Sequence, residues 1–129
     1  MSFTWGDYYT LADELINSKK QNIKESRSRS AVSRAYYAAF HSALQFAIDY
    51  YPDFEPSTNR AHKKVIEWFE TNEPRVGWQL NQLLEFRIQC DYDDSVEGLE
   101  HISKKSMVLS NNIRAAINKQ KISYQFPRK

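Results

Sequence analysis

The chain has 129 residues, of which 41% are hydrophobic and 26% charged, with a formal net charge of +2. That length supports one domain with its own core, and so small a net charge gives no argument by itself for nucleic-acid binding. A single cysteine excludes a disulfide framework and a cysteine-based zinc site.

Three glycines and four prolines leave few turns, which predicts a few long helices. Aromatic residues reach 14%, a bias that suits either a dense small core or an adhesive interface. The opening MSFTWGDYYT has no basic stretch followed by an apolar run, so no signal peptide is expected. No apolar run approaches the length of a membrane span. A reducing, cytoplasmic compartment is the expectation.

Thr4 to Ile16 reads as the first helix, with Thr4 as its cap and Asp7 at the third helical position, near the positive end of the dipole. Trp5, Tyr8, Ala12, Leu15 and Ile16 form its apolar stripe. A polar break, Asn17 to Arg29, carries Lys19, Lys20, Lys24, Arg27 and Arg29 against a single Glu25. It reads as a solvated loop running into the first turn of the next helix, or as a basic rim that attracts phosphate.

Ser30 to Tyr51 is the central stretch. It holds no Gly or Pro, and Val32, Tyr36, Ala39, Ala43, Phe46 and Tyr50 recur at the helical period. Tyr37, Phe40, Leu44 and Ile48 supply a second apolar face, so this helix is predicted to have neighbours on two sides. Four alanines, Ala35, Ala38, Ala39 and Ala43, permit close approach. Arg34, Tyr37 and His41 gather at the edge of the buried arc as a first candidate site.

After the break from Pro52 to Pro56, Ser57 or Thr58 is expected to cap a third helix reaching about Thr71, with a stripe of Ala61, Val65, Trp68 and Phe69. His62, in its first turn, reads as structural or exposed. Pro74 opens a fourth helix that runs to about Tyr92. Its stripe of Val76, Leu80, Leu83 and Leu84 continues onto Arg87 and then Asp91. Charges on an apolar stripe are costly unless paired. Placing the acid C-terminal to the base is also the weaker order for a surface pair. The two residues therefore mark either a buried bridge or a working cleft. Asp91, Tyr92, Asp93 and Asp94 form an acidic knot; Asp94 reads as the cap of a fifth helix, with Glu97 completing a capping box. That helix is expected from Ser95 to about Lys119, and the tail KQKISYQFPRK is basic, either disordered or lying on a partner. No glycine-rich phosphate loop, HExxH or GxSxG occurs.

The string SRAYYAAFHSAL, a first helix opening with Trp5 and Tyr8, and FRIQCDYDD resemble the HEPN domain, from about Trp5 to Ile117. Arg87 to Tyr92 resembles the family's Arg-x-x-Ala-Asp-Tyr segment, with Cys90 where Ala is usual. The resemblance implies a small helical bundle, a homodimer with its cleft at the interface, and a role in toxin–antitoxin, phage-defence or CRISPR-linked systems. Many members are metal-independent endoribonucleases, often encoded beside a small nucleotidyltransferase; others are binding domains. The nuclease members carry a His four to six residues after the Arg, and here Tyr92 stands at that spacing.

The expectation is an all-α, up-and-down bundle of about five helices. It forms one domain over residues 1–129, with a basic tail from about residue 118. The leading function is a toxin-like RNA-binding protein with metal-independent endoribonuclease activity as its reaction. The alternative is a non-enzymatic dimeric module for a nucleotide or a partner protein such as a nucleotidyltransferase or antitoxin. Arg87, Asp91, Tyr92 and His41 are the candidate catalytic residues. Arg34, Tyr37, Lys19, Lys20, Lys24, Arg27 and Arg29 are the candidates for RNA or nucleotide binding. No cofactor and no metal is implied.

Overall fold

A computed structural model describes residues 4–17, 24–51, 54–55 and 61–125. Among the described residues the chain forms five α-helices and no strand: α1 (Gly6–Asn17), α2 (Lys24–Tyr50), α3 (Ala61–Asn72), α4 (Pro74–Tyr92) and α5 (Leu99–Gln125). No described helix is long and apolar enough to cross a membrane.

The two-faced periodicity of the central stretch has its consequence in the packing: α2 touches every other helix. Tyr36, Ala39, Phe40, Ala43 and Phe46 of α2 meet Val65 and Phe69 of α3, Leu80 and Leu83 of α4, and Leu109, Ile113 and Ile117 of α5 in one core. Burying each of the larger side chains contributes about 1.5–3 kcal/mol. Where α2 meets α5 the side chains are small. Ala35, Ser106 and Ser110 are fully buried, and the Ser110 hydroxyl donates to the Ala35 carbonyl at 2.7 Å. That bond satisfies a buried hydroxyl without opening the helix contact. α1 lies on α2 through Ala12, Ala31 and Ala35, with Leu15, Ile16 and Met107 around them.

Pairwise contacts fix the directions. Trp5 meets His41 and Tyr8 meets Tyr37, so α1 runs antiparallel to α2. Arg87 reaches Tyr36 while Arg29 reaches Asp93, so α4 does too. His62 meets Tyr36 and Phe69 meets Phe46, so α3 runs in the same sense as α2.

Several boundaries differ from the sequence expectation. α2 begins at Lys24 rather than Ser30, so Lys24, Arg27 and Arg29 belong to the helix and not to a loop. The cause is Arg29. Its guanidinium donates to the carbonyls of Cys90 at 2.9 Å, Asp93 at 2.6 Å and Asp94 at 3.2 Å, and sits 3.6 Å from Glu25. These are orphan acceptors at and just past the end of α4, where a cation also meets the negative end of the helix dipole. The same clamp removes the expected capping box. Residues 93–96 stay non-helical, and α5 starts at Leu99, after Gly98 at φ 65°. At its other end α5 runs to Gln125 instead of stopping near Lys119. Fully buried Ile113 and nearly buried Ile117 carry its stripe toward that end. α4 starts with Pro74 as expected. The caps proposed at Ser57 or Thr58 lie outside the described residues.

Candidate functional site

The site is built outward from Tyr36. Its ring is fully buried in the core, so its hydroxyl needs an internal partner. That partner is His62 Nδ1 of α3, 2.6 Å away. Burial pushes the phenol well above its ordinary pKa, with Arg87 opposing and Tyr37 adding to the shift, so the phenol keeps its proton at neutral pH. The His62 ring stacks on Phe40 with centroids 3.9 Å apart and planes 14° apart. Burial, and then the charge of Arg87, hold the imidazole below its ordinary pKa.

Arg87 lies over these rings. Its guanidinium carbon is 5.0 Å from the Tyr37 centroid and 5.7 Å from that of Tyr36, and Nε donates to Asp91 Oδ2 at 3.0 Å. The side chains of Arg87 and Asp91 are 19% and 28% exposed, so the pair is neither a solvated surface bridge nor a sealed one. A carboxylate at one edge and aromatic faces beneath fix the plane of the guanidinium.

The aromatic surface continues onto α1. Tyr37 and His41 stack with centroids 6.1 Å apart, and His41 lies 3.4 Å from Trp5 at an interplanar angle of 11°. Tyr8 sits edge-on to both Trp5 and Tyr37, and Arg34 lies 5.0 Å from the Tyr8 centroid. Burial, and then His62, depress the His41 pKa. Arg34 and Asp91 also line a groove of about 340 Å³, together with Ser26, Ser30 and Ser33.

Arg87, Asp91, Tyr37 and His41 therefore come together from α2 and α4, and Arg34 lies beside them. Tyr92 does not join them: it is 73% exposed and makes no ring contact or hydrogen bond with the cluster among the described residues. The basic series divides. Lys24 is exposed, Arg27 is buried at 7% exposure, and Arg29 is engaged at the end of α4. Only Lys24 of these three remains on a solvated rim, because helix formation from Lys24 onward turns Arg27 inward. Lys19 and Lys20 lie outside the described residues. The acidic knot is dispersed: Asp91 pairs with Arg87, while Asp93 and Asp94 present backbone carbonyls to Arg29. The Cys90 thiol is buried, which pushes its pKa up against the opposing charge of Arg29.

His62, which reads from the sequence as structural or exposed, is a member of the cluster. It stands three and seven residues before Val65 and Phe69, on the buried stripe of α3, and that register is the signal that marks it. Trp5, expected to be buried, is 40% exposed and stacks on His41.

Compared with known proteins, the chain matches no family model, no curated protein and no solved structure.

Chemically, the face offers two cations set against aromatic rings, Arg87 and Arg34, aromatic faces suited to bases, and two imidazoles that stay neutral at pH 7. A neutral imidazole can accept a proton.

Proposed function

We propose that this protein is a HEPN-type, toxin-like RNA-binding protein of a cytoplasmic toxin–antitoxin or phage-defence system, and that it cuts RNA slowly without a metal. The observation that carries the reading is the Arg87 guanidinium held over Tyr36 and Tyr37 by Asp91, with His62 and His41 beside it. A phosphate takes the remaining edge of the guanidinium in a two-point grip, and bases stack on the neighbouring rings.

In the reaction, the ribose 2′-oxygen forms a bond to the adjacent phosphorus and the bond to the 5′-oxygen breaks. The products are a 2′,3′-cyclic phosphate and a 5′-hydroxyl. Arg87 stabilises the charge growing on the phosphate oxygens. His41 accepts the 2′-hydroxyl proton, and water supplies the proton to the departing oxygen. The stack of His41 on Trp5 and the bond of His62 to Tyr36 restrain both imidazoles, so turnover is slow.

The test is incubation of the purified protein with a broad panel of RNAs in EDTA. Expected are weak cleavage, its loss in Arg87→Ala, and a fall of about 10²-fold in His41→Ala, within the range for a lost general base. Cleavage that survives Arg87→Ala unchanged contradicts the site.

A second reading, a non-enzymatic dimeric module for a nucleotide or a partner protein such as a nucleotidyltransferase, is favoured by α4 itself. Trp78, Ile88 and Tyr92 along it are 60%, 45% and 73% exposed. A protein that neither binds nor cuts RNA across that panel supports this reading.

A further inference from the structure

Behind the Trp5–His41 stack lies a second groove, of about 320 Å³, between the first turn of α1, α2 and α5. Its walls carry Trp5, His41, Ser42, Arg114, Asn118 and Lys121, and none of its lining residues is a carboxylate. Arg114, Asn118 and Lys121 fall at steps of four and three on α5, so they share one face of that helix. The guanidinium carbon of Arg114 lies 5.1 Å from the Tyr9 centroid, which orients its plane. Neither Arg114 nor Lys121 forms an ion pair among the described residues. Asp7, in the first turn of α1, accepts the backbone N–H of Thr4 at 3.2 Å and is not among the residues that line the groove. Two cations share this small volume with no carboxylate in its lining, and the positive end of the α1 dipole adds to their field. Such a site is relieved by an anion, and a guanidinium beside an ammonium suits phosphate oxygens.

The position selects the source of that phosphate. Trp5 and His41 line this groove and also belong to the aromatic surface that runs to Arg87. We infer that the groove between α1, α2 and α5 is a phosphate-binding subsite, held by Arg114 and Lys121, for a second backbone phosphate of the RNA strand gripped by Arg87. The inference rests on the RNA reading above for its source of phosphate, and on Arg114 and Lys121 for its chemistry.

The test is fluorescence anisotropy with a labelled ten-nucleotide single-stranded RNA at several salt concentrations. It compares the wild-type chain, Arg114→Gln, Lys121→Gln, the double variant, and Arg114→Lys as the charge-conserving control. Circular dichroism establishes that each variant keeps its helices. Each lost phosphate contact lowers the slope of log affinity against log salt by about 0.7 for a single strand. Arg114 and Lys121 share one phosphate, so the expected drop is about 0.7 in the double variant and a part of that in each single variant, with the slope kept in Arg114→Lys. RNA binding that still requires Arg87 but has an unchanged slope in the double variant overturns the subsite and leaves the Arg87 reading standing. If the wild-type chain binds no RNA, the Arg87 reading fails, and uridine monophosphate decides the groove by ³¹P line broadening. Broadening lost in the double variant upholds the phosphate site with a free nucleotide as its source; no broadening by the wild-type chain overturns it.

Discussion

Arg87 and Asp91 stand where the apolar stripe of α4 asks for leucine or valine, and this placement is unstable without compensation. The compensation comes from the mutual bond of 3.0 Å, from two tyrosine rings, and from partial exposure of both side chains. Across the same cluster, burial holds His41 and His62 below the ordinary imidazole pKa of about 6.5. The consequence for stability has a definite sign. Below about pH 7 the unfolded chain takes up protons at these two residues that the folded chain resists, so the unfolded state gains as pH falls. The urea midpoint should therefore decrease between pH 7.5 and pH 5.5, and His62→Gln should reduce that dependence. An equal dependence in wild type and variant would remove His62 from the account. The anomaly at Arg87 and Asp91 was legible in the sequence, because a charge on a stripe is a local pattern. The bond from Tyr36 to His62 was not, because it depends on α3 lying beside α2, and no local pattern specifies helix neighbours.

The helix elements were legible wherever periodicity ran unbroken. α4 opens at Pro74 and ends at Tyr92 as its stripe and its proline predict. The boundaries that moved did so for tertiary reasons. Asp94 and Glu97 match the capping-box pattern, yet Arg29 holds the carbonyls of Asp93 and Asp94 and the helix starts four residues later. Two glycines make this level testable. Gly98 has φ 65° and no neighbour within 4 Å of an added Cβ, so alanine there suffers backbone strain alone, about 1–2 kcal/mol. At Gly77 a Cβ would strike the Glu70 backbone nitrogen and lie 2.6 Å from its Cα. Backbone cannot yield as a side-chain tip can, so Gly77→Ala should cost about 1–3 kcal/mol through overpacking between α3 and α4. Urea unfolding of both variants checks this; an unchanged midpoint in Gly77→Ala would contradict the close approach of the two helices.

At the scale of the whole molecule, the 14% aromatic content divides between core and surface. Tyr36, Phe46 and Phe69 fill the core, while Trp5, Trp78 and Tyr92 remain 40%, 60% and 73% exposed. We propose a twofold dimer that uses the exposed aromatics of α4, Trp78 and Tyr92, and buries more than about 1,000 Å² in total. Light scattering at micromolar concentration should give twice the chain mass, and a monomer mass would refute the dimer. The central claim concerns Arg87 and RNA. Its most direct test is the affinity of a single-stranded RNA for the wild-type chain and for Arg87→Gln at one fixed salt concentration, by fluorescence anisotropy. A hydrogen bond to a charged group is worth about 1.5–3 kcal/mol, so the account predicts RNA binding by the wild-type chain and a loss of about 10- to 100-fold in Arg87→Gln. Equal affinity in the two proteins, or no binding by either, would contradict it.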